Sequence, residues 1–135
     1  MGAADRLDDV QARMAECLVL AGFPRQAEDR ARDVLPRVRR RTDRQPLRAA
    51  LERTLGWCAL LGDDPATARA RFDVSLRTAR TARADYELAV TLRASLALPA
   101  AFAGDRDAVE AESSAILARL GVVHVVEPSR VAIPA

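Results

Sequence analysis

The chain contains no lysine: all 21 basic side chains among its 135 residues are arginine, and with 28 alanines this reads as a compositional bias of the genome. Aromatics are only 4% of the chain, so a core must be built from Ala, Leu and Val. Glycine and proline together number 13, too few for a turn-rich sandwich or barrel, and the mix favours helix. The single histidine, His124, and the two cysteines, Cys17 and Cys58, form no CxxC and no metal-ligand spacing. No GxGxxG, P-loop, HExxH or GxSxG occurs, so neither an enzyme nor a cofactor is expected. The longest uncharged run, residues 94–104, is too short to cross a bilayer and contains Pro99. The N-terminus is acidic soon after its start and has no apolar signal core, which points to a soluble cytoplasmic protein.

Charged residues are 30% of the chain at a net +2, a composition that folds as one domain. Breakers divide the chain. Gly22, Phe23 and Pro24 form one turn, residues 42–46 a loop, and Gly62 to Pro65 a turn with Asp64 as N-cap and Pro65 at the first helical position. Asp105 repeats the capping device after Gly104, and Gly121 ends the last helix. Between them apolar residues recur at three and four. The stripes are Leu7, Val10, Met14, Leu18 and Ala21; Ala27, Ala31, Val34 and Leu35; Leu47, Leu51, Leu55, Cys58 and Leu61; Ala68, Phe72, Leu76 and Ala79; Leu88, Leu92, Leu96 and Ala100; and Val109, Ile116 and Leu120. This predicts an all-α fold of six amphipathic helices in three antiparallel hairpins over residues 1–121. Pro36 should bend or stop the second helix and Pro99 should kink the fifth. Residues 122–135 read as a tail, either docked in extended form or frayed, because residues 122–126 are β-prone and Pro128 and Pro134 forbid helix.

The turn glycines Gly22, Gly62 and Gly104 are 40 and 42 residues apart, and small and apolar residues recur around them. Met14, Ala15, Leu18, Ala27, Ala31 and Val34 correspond to Leu55, Gly56, Ala59, Ala68, Phe72 and Ser75. These in turn correspond to Leu96, Ala97, Ala100, Val109, Ser113 and Ile116. Small residues let two helix backbones approach, and a larger apolar residue fills the space beside the next pair. This pattern resembles the tetratricopeptide repeat, most closely at Leu55, Gly56, Ala68 and Phe72. It departs in a period longer than about 34 residues and in a missing aromatic on the first helix of each unit. The resemblance implies a short right-handed solenoid that binds another protein or a peptide, either as a stand-alone module or as the C-terminal piece of one of the large actinobacterial transcription and signalling regulators that carry such repeats.

That register places Arg13, Glu16 and Leu20, then Arg53, Trp57 and Leu61, then Ser95 and Phe102 on a concave groove for a peptide or partner helix. The plainer reading makes Trp57 and Phe102 core, or covers them with the tail. Arginines concentrate between residues 37 and 83, with 12 against 5 acidic residues. Arg37, Arg40, Arg41, Arg44, Arg77 and Arg80 form the candidate basic patch, read first as a solvated face and second as a surface for an acidic partner. Nucleic acid is not expected, since no helix-turn-helix spacing and few aromatics accompany them. The paired carboxylates Asp63/Asp64, Asp105/Asp107 and Glu110/Glu112 lie at helix starts and read as caps. The cysteines read as small buried hydrophobes at equivalent positions, too far apart for a disulfide. The alternatives to peptide binding are a ligand-sensing domain and a homo-oligomerisation unit that dimerises through an exposed end of the array.

Overall fold

The computed structural model describes residues 2–129; residues 130–135, with Pro134 and the end of the expected tail, lie outside the described residues. Six α-helices and no strand occur among the described residues. They are α1 Ala3–Leu20, α2 Pro24–Val38, α3 Gln45–Leu61, α4 Pro65–Ala82, α5 Asp85–Ser95 and α6 Arg106–Leu120, with 3-10 turns at Thr42–Arg44 and Ala100–Phe102. Each helix packs on the next in sequence, and in addition α1 packs on α3 and α3 on α5.

The expected caps are in place. The Asp64 carboxylate accepts from the Thr67 amide at 3.1 Å with Pro65 opening α4, and Asp105 accepts from the Ala108 amide at 3.1 Å at the start of α6. Each satisfies one of the amides a helix start leaves orphaned. Gly121 ends α6 at φ +74°, where a side chain would be strained. The turn glycines are not equivalent, however. Gly22 takes φ +90°, but in the second turn the left-handed residue is Asp63, at φ +62°, while Gly62 has φ −86°. The period is accordingly more regular than the glycines suggest: the N-caps of α2, α4 and α6 are Phe23, Asp64 and Asp105, each 41 residues from the next.

That period also runs through the core. Ala31, Phe72 and Ser113 are 41 residues apart, as are Val34, Ser75 and Ile116, and all six are buried. Gly56 of α3 lies against the Phe72 ring so closely that a Cβ built on it would fall 2.5 Å from a ring carbon. The small-residue reading of that position is therefore a packing requirement.

Pro36 lies inside α2, which stops near it as expected, two residues on at Val38. Two expectations, the Pro99 kink and the buried stripe of α1, need correction. Pro99 does not kink α5, because α5 ends at Ser95 and Pro99 precedes a 3-10 turn. The break between α4 and α5 uses neither glycine nor proline. Arg83 adopts a left-handed φ of +54° and the Ala84 amide donates to the Ala79 carbonyl at 2.9 Å. The larger correction concerns α1. Its buried residues are Asp8, Ala12, Ala15 and Val19, a narrow stripe that fits closely against α2 and α3, whereas Leu7, Val10, Met14, Cys17 and Ala21 are exposed.

Candidate functional site

The face expected to form a groove is brought together only in part. Glu16, Leu20, Arg53 and Trp57 line a cavity of about 230 Å³ with Val19, Thr54, Tyr86, Val90 and residues 124–127. Arg13, Leu61, Ser95 and Phe102 do not line it. Leu61 and Phe102 pack half-buried against the Trp57 cluster, and the Ser95 hydroxyl donates to the Leu92 carbonyl of its own helix at 2.6 Å. Trp57 is 5% exposed and meets Phe72 edge-on, ring centroids 5.9 Å apart, so it is core and not an open floor.

Arg53 is also buried. Its guanidinium donates to Glu87 at 2.6 Å and to the Thr91 hydroxyl at 3.3 Å, and lies 3.5 Å from Glu16. One side chain of α3 thus ties α1 to α5. Thr91 continues the chain to Ser75 at 2.8 Å, and Ser75 donates to the Ala49 carbonyl at 2.7 Å. Nearby, Glu52, 2% exposed, pairs with Arg71 at 3.0 Å. Burying these charges is tolerable because each has a partner; the removal of one partner would leave the other uncompensated.

The tail closes this face. Val122 and Val125 pack against the cluster of Leu88, Leu92, Ile116 and Leu117, Glu127 pairs with Arg93 at 3.1 Å, and Pro128 is buried. Of the two expected states for the segment after Gly121, the docked one is found through residue 128.

The basic patch is largely neutralised. Arg37 pairs with Asp8 at 2.8 Å, Arg41 with Asp5 and Asp43, Arg44 with Asp9 at 2.6 Å, and Arg80 with Glu112 at 2.7 Å. Arg40 and Arg77 are exposed. The bond from Arg80 holds the Glu112 carboxyl below its ordinary pKa, and the bond from Arg41 does the same for Asp5. Cys17 and Cys58 are free, but they differ. Burial pushes the Cys58 thiol up to about 12, while Cys17 is exposed, against the expectation of two buried cysteines. Among the described residues no cluster of three His, Cys, Asp or Glu could hold a metal ion, and no helix is long and apolar enough to cross a membrane.

The open surface lies on the outside of α1. Leu7, Val10, Met14 and Phe23 are 40–56% exposed, and a groove of about 590 Å³ runs along Val10, Met14, Cys17, Leu18, Ala21 and Phe23 with Asp9 and Arg13 beside it. The 41-residue period relates this face to its counterpart on α3. Val10, Met14 and Cys17 correspond to Leu51, Leu55 and Cys58 of α3, which are buried. Leu51 and Leu55 pack with Ala31, Leu35 and Val38 of α2. On α1 the face that receives a helix elsewhere in the molecule has none. The stripe was legible in the sequence; that nothing covers it was not. A second feature had no sequence signal beyond spacing: Gln45 and Arg48 of α3 share a cavity with Val74, Arg77, Thr78 and Thr81 of α4.

No family model matches the chain, and no curated protein and no solved structure matches it either.

Proposed function

We propose that this chain is a helical protein-interaction module, a short stack of three hairpins resembling tetratricopeptide repeats, that acts as a homodimer joined through the outer face of α1. The order of helix contacts and the 41-residue spacing of the α2, α4 and α6 N-caps support the stack. The exposed apolar stripe of α1 carries the dimer. Large contiguous apolar patches on a folded chain mark interaction sites.

The occupant is argued from charge. In two antiparallel copies of α1 crossing near residue 12, Asp9 of each, held by its own Arg44, comes near Arg13 of the other at the edge of the groove. Val10 then lies against Met14, and Leu7 against Cys17. The pairing is isologous, so every contact occurs twice. Exposed ion pairs of this kind fix register more than they add affinity. Burying four half-exposed side chains on each copy contributes at most about 8 kcal/mol, and association costs reduce it, so the dimer is micromolar or weaker.

Light scattering over a concentration series up to roughly millimolar, with crosslinking, tests this reading. The wild type should shift from monomer to dimer, and V10E/M14E should stay monomeric with an unchanged melting temperature. Oxidised Leu7→Cys should form a covalent dimer through Cys17, lost in L7C/C17S. The wild type should form none, because two Cys17 residues would lie about 15 Å apart along the helices. A wild type that stays monomeric throughout, or a V10E/M14E variant that still dimerises, overturns the proposal. The first of these outcomes would leave the face to a helix of another protein.

A further inference from the structure

A cavity of about 240 Å³ lies between the first turn of α3 and the last turns of α4, lined by Gln45, Arg48, Val74, Arg77, Thr78 and Thr81. It belongs neither to the α1 face nor to the cavity under the tail. Its lining holds two arginines, two hydroxyls and an amide, and no carboxylate. The α4 contribution is one helix face, since residues 74, 77, 78 and 81 recur at three and four.

The Gln45 amide is satisfied, its Nε2 donating to the Arg41 carbonyl at 2.7 Å, but Arg48 is short of partners. The Arg48 Nε is buried without a hydrogen bond, and its Nη1 makes only two long contacts, 3.4 Å to Gln45 Oε1 and 3.5 Å to the Arg39 carbonyl. A guanidinium carries five donors, so most of its capacity is unused. Thr78 is 8% exposed and its hydroxyl has no partner; Arg77 has no hydrogen bond or ion pair. Buried polar groups are nearly always satisfied, so the unpartnered Arg48 Nε calls for an acceptor, and the exposed Arg77 guanidinium and Thr81 hydroxyl stand open to solvent beside it. The other charges nearby do not supply it: Asp73 is held by Arg69, Glu52 by Arg71, and Glu112 by Arg80. The start of α3 and the end of α4 bring opposite helix ends together, so their dipoles nearly cancel and the two arginines set the sign.

We propose that this cavity is an oxyanion site that takes inorganic phosphate or the phosphate group of a small monoester. The volume is several times the roughly 30 Å³ of one water and below the 300 Å³ or more of a drug-sized pocket, which fits one tetrahedral anion. Arg48 supplies a fork for two oxygens, Arg77 a second charge, and Thr78 and Thr81 hydroxyl donors for the rest. Tight binding by two arginines favours the dianion, so affinity should fall as pH drops below about 6, where phosphate gains a proton.

The test is calorimetric titration and thermal shift in a phosphate-free buffer at constant ionic strength, with inorganic phosphate, phenyl phosphate and chloride. Phosphate should raise the melting temperature saturably where chloride does not. Arg48→Gln and Arg77→Gln should each weaken it about tenfold or more, as expected for loss of a charge-assisted pair. Thr78→Val should weaken it less, and Arg40→Gln, outside the cavity, should leave it unchanged. Phenyl phosphate binding as well as phosphate identifies an ester as the ligand, and binding of phosphate alone identifies the free ion. V10E/M14E should bind phosphate like the wild type, so this site stands or falls apart from the α1 interface. Phosphate acting no differently from chloride, or binding unaltered in both arginine variants, overturns the proposal.

Discussion

Replacing Gly56 by alanine sets two effects of known size against each other. Alanine is the better helix former by about 1 kcal/mol, so in an open helix the change would stabilise. Here the new Cβ would lie 2.5, 2.6 and 3.2 Å from three carbons of the Phe72 ring. The ring cannot yield freely: it is fully buried, edge-on to Trp57, and packed in one cluster with Val19, Ala27, Ala68, Ala94 and Leu98. Relief needs a shift of close to 1 Å in a core at crystal-like density, which puts the cost at the upper end of the about 1–3 kcal/mol range for overpacking. The net expectation is a loss of about 2 kcal/mol, or roughly 6–10 °C in melting temperature for a chain of this size. Urea and thermal denaturation followed by far-ultraviolet circular dichroism measure it. The double variant with Phe72→Leu supplies the internal control. With the ring gone, the alanine should be neutral or stabilising, and the two changes should couple by more than about 1 kcal/mol. A Gly56→Ala protein at least as stable as the wild type would refute the close-approach reading, and with it the account of why a small residue stands at this point of the repeat.

Three further outcomes follow from the same physics. Native protein should react rapidly with a thiol reagent at Cys17 alone, and Cys58 should react only on unfolding, because it is buried with its pKa pushed to about 12; two fast thiols would contradict the packing of α3 on α2. Arg53→Ala should cost about 3–5 kcal/mol in urea denaturation by stranding Glu87 in the interior, and Glu87→Leu in that background should recover part of the loss. Acid should destabilise the fold: the carboxyls of Glu112 and Asp64 are held below their ordinary values of 4.5 and 3.8, so their contribution is present above those values and lost as pH falls through the lower folded-state ones. Asp64→Asn with Glu112→Gln should flatten the decline between about pH 5 and 2, and an unchanged slope would assign acid sensitivity elsewhere.

What could be read from the sequence divides along physical lines. Local signals were legible: Asp64 and Asp105 cap where a carboxylate precedes a helix start, and Gly121 ends α6 in a conformation few other residues accept. The break at Arg83 was invisible because an ordinary side chain was pressed into a left-handed turn by the packing on either side. Tertiary facts were less legible still. Arg53 and Trp57 lie on the side of α3 facing α1 and α5, and from spacing alone a face between helices cannot be told from a face open to a ligand. The tail settles the difference, through Val122, Val125 and Pro128, residues with no periodicity of their own.

The arginine-rich stretch shows the same limit in electrostatics, and it bears on how α1 is held. Counted along the chain, residues 37–44 are strongly basic; in space they meet Asp5, Asp8 and Asp9, one turn of α1 that the sequence places in a separate acidic segment. Each pair is part-buried, with one partner shielded and the other open to solvent, so its contribution to stability is modest. They are directional, however, and all three lie on the side of α1 that faces the end of α2 and the start of α3. They pin the first helix by its inner, charged edge, while Ala12, Ala15 and Val19 supply contact too narrow to use its large apolar side chains. A helix whose buried stripe is alanine and whose leucine, valine, methionine and phenylalanine neighbours face outward is an inversion of the usual economy of a core. The proposed α1 dimer would resolve that inversion, because the outward residues are the ones a second helix would bury.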